Sequence, residues 1–286
     1  MTAPRTNAPA TISTTAASAT GSTAPTISTA PTMTVNALAP PECGHHAPHL
    51  LHPVVRKLAA FGPLSAAEEA ALADLGAGAL CVDGRQDLVT EGGVPDHAVL
   101  IVEGVACRYR HRPNGARQIT GYLLPGDLCD PDLVHLGRMS HSIGTLGPCR
   151  VARVPGEVLA GLTARHPGIA RALRLAKLAE EETTREWLVN VGCRSAIERV
   201  AHLLCELHAR LGTVGWATRA GYDLPLTQQD IADTAGLSNV HVNRVLRQLR
   251  LMRLVEVGGR RVDVLDRAGL RRVAEFQDGY LRPTGA

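Results

Sequence analysis

Hydrophobic and polar positions divide the chain into three kinds of text. Residues 1 to about 42 are Ala, Thr, Ser and Pro almost throughout, with no apolar periodicity. Such a segment buries too little apolar surface to offset its ordering entropy, so residues 1–45 are expected to form a disordered tail. From Ala79 to Val154 short apolar runs alternate with turn signals. The runs include Ala98-Val99-Leu100-Ile101-Val102 and Gln118 through Leu124; the turns include Pro113-Asn114-Gly115 and Pro125-Gly126-Asp127. That spacing predicts a small antiparallel barrel or sandwich. Two short helices should precede it, one from Val54 to Phe61 and one capped by Ser65 with Glu68 three residues on.

Beyond Pro167 the period becomes helical. A long helix is expected to about Val191, with Ile169, Ala172, Leu173, Ala176, Thr183, Trp187 and Val191 near one face. This stripe suits either a two-chain coiled coil or packing against the chain's own barrel. Gly192 should break the helix, and another should run from Ser195 to about Leu211, carrying Ile197, Val200, Ala201, Leu204 and Leu207.

The stretch from Leu226 to Leu246 carries the most chemistry. Thr227, with Asp230 three residues later, is an N-cap with an acidic partner. Ala232 is small where a second helix must cross, and Gly236 sits in a turn where positive φ is cheap only for glycine. Leu237, Val242 and Val245 supply apolar contacts between two helices. Ser238 caps the second, whose polar face carries Asn239, His241, Asn243, Arg244 and Arg247. Cap, small residue, turn glycine and apolar pair at fixed spacing are the requirements of a helix-turn-helix. Its second helix would enter the major groove. There Arg244 suits guanine O6 and N7, Asn239 or Asn243 suits adenine, and Val240 suits a thymine methyl. Thr227, Gln228 and Ser238, at helix N-termini, suit phosphates. Leu254 to Val264 reads as a β-hairpin turning at Gly258-Gly259, with Arg260 and Arg261 at its tip reaching the flanking backbone.

Charge sharpens this picture. The net charge is only +3, but from Ser238 to Arg261 six arginines stand against one acid, Glu256. Lys57 and Lys177 are the only lysines, so the basic groups are guanidinium forks suited to phosphates and bases. Seven scattered cysteines with no CxxC pair argue against a disulfide framework and a structural zinc site, and fit a reduced cytoplasmic compartment. No run approaches the ~20 apolar residues of a membrane span. No nucleophile elbow, P-loop or HExxH occurs, and nothing orients a Cys/His pair such as Cys129 with His135 or His141, so an enzyme is not expected. The absence of stacking aromatics in 227–261 disfavours a single-stranded RNA reader.

In this order of elements the chain resembles the Crp/Fnr superfamily over about residues 50 to 265. The likeness rests on Ser195-Ala196-Ile197-Glu198-Arg199-Val200-Ala201, the Leu226 to Leu249 block, Gly104 and Pro125-Gly126-Asp127. It implies an α+β fold: an N-terminal antiparallel, cyclic-nucleotide-binding-like β-roll (50–165), a long dimerisation helix (166–192) and a C-terminal winged helix-turn-helix (193–286). It also implies a homodimer on a palindromic site in double-stranded DNA, with RNA polymerase as partner at promoters. Members that bind cyclic AMP have a Gly-Glu pair where this chain has Asp130 and Pro131, and a phosphate-binding Arg aligned near Met139, with Arg138 one step away. On the central helix Thr184 matches a nucleotide-binding position, but Arg185 follows where a small hydroxyl is expected. Control by cyclic AMP is therefore not expected, and no cofactor is assigned. The iron–sulfur branch needs closely spaced N-terminal cysteines, of which only Cys43 is present. A thiol- or metal-responsive sensor is the alternative. It would use Cys107, Cys129 or Cys149, expected to be buried and inert, or the Cys43 to His49 run with His52.

Overall fold

The computed structural model describes residues 51–132 and 137–282. The Ala/Thr/Ser/Pro-rich segment and the Cys43 to His49 run lie outside them, so neither expectation is addressed. Helix α1 (Pro53–Ala59) is followed by α2 (Ala66–Asp74), which starts in the expected capping box: the Ser65 N–H donates to Glu68 at 2.9 Å.

Eight strands then form two four-stranded antiparallel sheets. The first has the order β1 (Leu80–Val82), β8 (Cys149–Pro155), β3 (His97–Glu103), β6 (Leu128–Cys129). The second runs β2 (Asp87–Val89), β7 (Ser142–Thr145), β4 (Ala106–His111), β5 (Arg117–Leu123). The continuous apolar run of β3 is explained by burial on both faces. Val99 and Ile101 meet Ala106, Leu123 and Ile143 of the opposite sheet, whereas Ala98, Leu100 and Val102 meet Leu58, Leu72, Leu159 and Ile169 of the helices.

Helix α3 (Gly156–Arg165) leads into α4 (Pro167–Cys193). The helix passes through Gly192 and ends at Arg194, whose extended ψ of 149° turns the chain into α5 (Ala196–Thr213). Glycine within a last helical turn weakens the helix without forcing a stop. Most of the apolar stripe of α4 is spent within the chain, while Val191 at its end is exposed. Ile169 and Ala172 are buried in the β-roll's helical layer, and Trp187 is buried with α5, its Nε1 donating to Glu206 at 2.9 Å. A different face stays open, with Leu178 43%, Leu188 72% and Val189 47% exposed.

The C-terminal part continues with β9 (Gly221–Asp223), α6 (Gln228–Ala235), α7 (Asn239–Leu251), β10 (Val255–Gly258), β11 (Arg261–Val264) and α8 (Arg267–Ala274). Its core runs from Val200, Leu204 and Leu207 through Ile231, Val242 and Leu249 to Leu270 and Phe276. That core is continuous with Cys107, Tyr109, Ile119 and Tyr122 on the outer face of the second sheet.

Candidate nucleic-acid interface

Helices α6 and α7 form the expected pair. Thr227 accepts from the Asp230 N–H at 3.2 Å, and the Thr227 N–H donates to the Asp230 carboxylate at 2.8 Å, closing a capping box. Gly236 takes φ +64°, ψ 37°, the left-handed conformation that lets α6 stop and α7 depart. The Ser238 side chain accepts from the His241 N–H at 3.2 Å. Ala232 at 1%, Val242 at 0% and Val245 at 3% exposure form the crossing, as expected, with Leu237 packed against it.

This burial leaves one side of α7 facing water. Asn239, Val240, Asn243, Arg244 and Arg247 are all exposed and His241 is partly so. Val240 keeps 73% of its surface exposed, an aliphatic group held in solvent among polar neighbours. Arg244 and Arg247 make no ion pair with any described residue, so two guanidinium groups stand uncompensated one turn apart. Gln228 and Gln229, on the first turn of α6, reach over to this face: Asn243 donates to Gln228 at 3.2 Å and Asn239 approaches Gln229 at 3.5 Å. Gln228, Gln229, Asn239, Val240, Asn243, Arg244 and Arg247 thus share one exposed surface, and Thr227 and Ser238 are exposed at the starts of the two helices.

The wing differs from expectation by one residue. Gly258 pairs with Arg261, so the turn residues are Gly259 (φ +58°) and Arg260 (φ +64°). Both lie in the left-handed region that a two-residue hairpin of this hand requires. Arg260 therefore sits at the tip and Arg261 in the strand, where its guanidinium donates to Asp263 at 2.8 Å and Asp223 at 3.0 Å. A third strand, β9, joins this hairpin and was not foreseen; Gly221, with φ +151° and no room for a Cβ against the Val262 carbonyl, permits the close pairing.

Between the β-roll, α4 and α5 lies a cavity of about 580 Å³. Asp130 lines it, accepting from His141 at 3.2 Å and Arg108 at 3.4 Å; Arg108 also pairs with Glu180 of α4. Burial opposes ionisation of Asp130, but His141 and Arg108 outweigh it and hold the carboxyl below its usual range. Met139 is buried, while Arg138 is exposed and donates outward to the Gly92 carbonyl at 2.8 Å. Cys107, Cys129 and Cys149 are buried, and burial pushes the Cys107 and Cys129 thiols up to about 12. His52 caps α1, with Val54 N–H donating to its Nδ1 at 3.4 Å.

Two family models match the chain: a Crp-like helix-turn-helix domain over residues 198–273 and a cyclic nucleotide-binding domain over residues 82–166. The nitrogen fixation regulation protein FixK of Azorhizobium caulinodans is 31% identical over 190 residues, which are 66% of this chain and 76% of FixK. The chain belongs to the Crp/Fnr family of transcription regulators. The transcriptional activatory protein AadR of Rhodopseudomonas palustris is 29% identical over 75% of this chain and 88% of its own. In fold, FixK2 from Bradyrhizobium japonicum matches 68% of this chain and 96% of its own, with a TM-score of 0.60 at 23% identity. The c-di-GMP responsive regulator CLP of Xanthomonas campestris matches with a TM-score of 0.55 at 17% identity, over 71% of this chain and all of that one. The Crp/Fnr fold and DNA-binding regulation read from the sequence are therefore correct. None of the described helices is long and apolar enough to cross a membrane.

The side chains that sequence reasoning missed are those joining the β-roll to α6. Arg85 forks onto Asp230 with two contacts of 2.8 Å, and Arg117 reaches Asp230 at 2.6 Å and Asp233 at 2.7 Å. These partners lie 113 to 145 residues apart in the chain, beyond any local pattern.

Proposed function

We propose that the protein acts in the cytoplasm as a homodimer on a palindromic operator, with RNA polymerase as its partner at promoters, and independently of cyclic AMP. The observation that carries the reading is the exposed face of α7, where Arg244 and Arg247 stand uncompensated beside the exposed Val240. In this reading Arg244 donates a bidentate pair to a guanine, Asn239 or Asn243 reads an adenine, and Val240 touches a thymine methyl. His241 and Arg247 complete the groove face. Thr227, Gln228, Ser238, Arg260 and Arg261 take phosphates. Arg261, already bound by two aspartates, holds the wing's shape as much as it meets DNA.

The division of labour follows the helices: a sensor-like β-roll over 50–165, a dimer helix over 166–192 and a reader over 193–286. The open face of α4 supports the dimer, because its exposed leucines and valine have no partner within the described chain. Independence from cyclic AMP is supported by Asp130. Asp130 already takes up Arg108, a cation that an entering cyclic phosphate would otherwise meet, and the aligned cation is replaced by the buried Met139.

Selection of bound sequences from a random duplex library at fixed salt tests the reading. Enrichment of a palindrome with a guanine in each half-site supports it, and absence of enrichment rejects it. Calorimetric titration of the same protein with cyclic AMP should show no uptake at micromolar concentration.

A further inference from the structure

The described contacts show where the second sheet of the β-roll grips the first reader helix. Asp230 is fully buried, and its carboxylate accepts from five donors: two from Arg85, one from Arg117, and the N–H and hydroxyl of Thr227. Arg117 also holds Asp233, and Gln118 Nε2 donates to the Thr234 carbonyl at 3.2 Å. Arg85 is presented by a tight turn in which it adopts φ +66°, a conformation uncommon for a residue with a side chain. Its backbone N–H is anchored on the Thr145 carbonyl at 3.0 Å. The fork is thus aimed from a rigid strand connection.

The grip falls on a particular side of α6. Asp230, Asp233 and Thr234 face the sheet, whereas Ile231, Ala232 and Ala235 face the reader's own core. The DNA-facing groups on α7 are left uncovered. A docked reader is therefore a reader with its groove face turned outward.

We infer that Arg85 and Arg117 are positioning residues, which hold the helix-turn-helix on the β-roll in the orientation that DNA requires. The physics favours a two-position device. A buried ion pair that loses one partner leaves an uncompensated charge in a dry interface, a strongly unfavourable state. Here Asp230 has an escape: its capping box with Thr227 belongs to α6 alone and survives undocking, so the carboxylate can return to water while the reader stays folded.

The inference rests on the DNA-binding reading, and its test is built so that the two can fail separately. Full-length wild type, Arg85→Gln/Arg117→Gln and Arg85→Lys/Arg117→Lys are compared on the selected operator at one salt concentration, with amide hydrogen exchange as a second readout. The expected result for the glutamine pair is a loss of affinity of about tenfold or more, with the order of preference among operator variants unchanged. Exchange should rise in α6 and β5 while the core of α5 stays protected. The lysine pair, which keeps the charge but not the fork, should fall between. Unchanged affinity, or tighter binding by the glutamine pair, overturns the inference; tighter binding would make the docked state an inhibited one. If the glutamine pair unfolds, the single Arg85→Gln carries the same test, since that side chain is already 44% exposed. Failure of wild type to select any operator would instead sink the DNA reading itself.

Discussion

The Tyr122 hydroxyl of the β-roll lies 2.5 Å from the Thr234 hydroxyl of the reader, with both residues buried. Thr234 donates its own proton to the Asp230 carbonyl at 2.7 Å, so Tyr122 is the donor between the two. A hydroxyl in a dry interface is costly without a partner, and here two domains each supply the other's. Tyr122→Phe removes the donor, keeps the ring against Trp187, and leaves the Thr234 oxygen with unused acceptor capacity. The expected loss is about 1 kcal/mol, read as a lower urea midpoint in equilibrium unfolding. An unchanged midpoint would mean that water replaces the tyrosine.

Arg244 should behave as a base-reading residue. Arg244→Ala is expected to weaken operator binding by ~1–3 kcal/mol and to relax preference at one base pair in each half-site. Competition against the four single-base variants at that position measures it. Equal weakening on every sequence would reassign Arg244 to a phosphate.

The helix-turn-helix was legible because its constraints are local. Thr227 and Asp230 are three residues apart, Gly236 must take positive φ where it stands, and Val242 and Val245 lie on one helical face. The wing was misplaced by one residue because two glycines in succession, Gly258 and Gly259, gave no local reason to choose. The pairing of Gly258 with Arg261, read from the sheet, decides it. The stripe on α4 was open between two partners for a physical reason: Ile169 and Trp187 repeat at a spacing that serves either. The clamp was invisible. No local pattern sets Arg85 or Arg117 apart before folding brings them to Asp230, and Asp230 is legible only as the acidic partner of the Thr227 cap. One carboxylate does both jobs, and only the first leaves a trace in neighbouring residues.

Acid should weaken the junction of α4 and α5 in a defined window. His202 is buried, with Nε2 3.3 Å from Glu186 but poorly aimed for a hydrogen bond. Burial, with the Arg194 guanidinium adding to it, pushes the imidazole down to about 4, and Glu186 only partly offsets this. In the unfolded chain the same ring titrates near 6.5. Between about 6.5 and 4 the unfolded state therefore takes up a proton that the folded state refuses, and stability falls as pH drops through that interval. Below it the contribution levels off. His202→Gln should flatten the decline in urea midpoint between pH 7 and pH 5 relative to wild type. An identical decline in both proteins would place the titration elsewhere.

The open face of α4 makes its own prediction about the proposed dimer. Leu175, Leu178, Glu182, Arg185, Val189 and Gly192 follow a strict four-three spacing, the seam of a parallel two-stranded coil. Apolar layers thus flank two successive charged layers, Glu182 and Arg185. Within the helix Arg185 already pairs with Glu182 at 2.6 Å and Glu181 at 3.6 Å. Such exposed pairs contribute little alone, about 0.2–0.5 kcal/mol. Across a parallel two-fold seam each residue would face its own copy, so the like charges of the Glu182 layer would be offset by the Arg185 layer one step along. Glu182→Arg or Arg185→Glu alone then lines the seam with like charge. Either should raise the dimer dissociation constant about tenfold or more, roughly 1.4 kcal/mol. The combined exchange, Glu182→Arg with Arg185→Glu, restores opposite charges in the two layers and should recover most of the loss. Sedimentation equilibrium on the four proteins separates the possibilities. A wild type that is monomeric at micromolar concentration would end the dimer reading. A dimeric wild type whose single variants associate equally well would move the interface away from this face of α4.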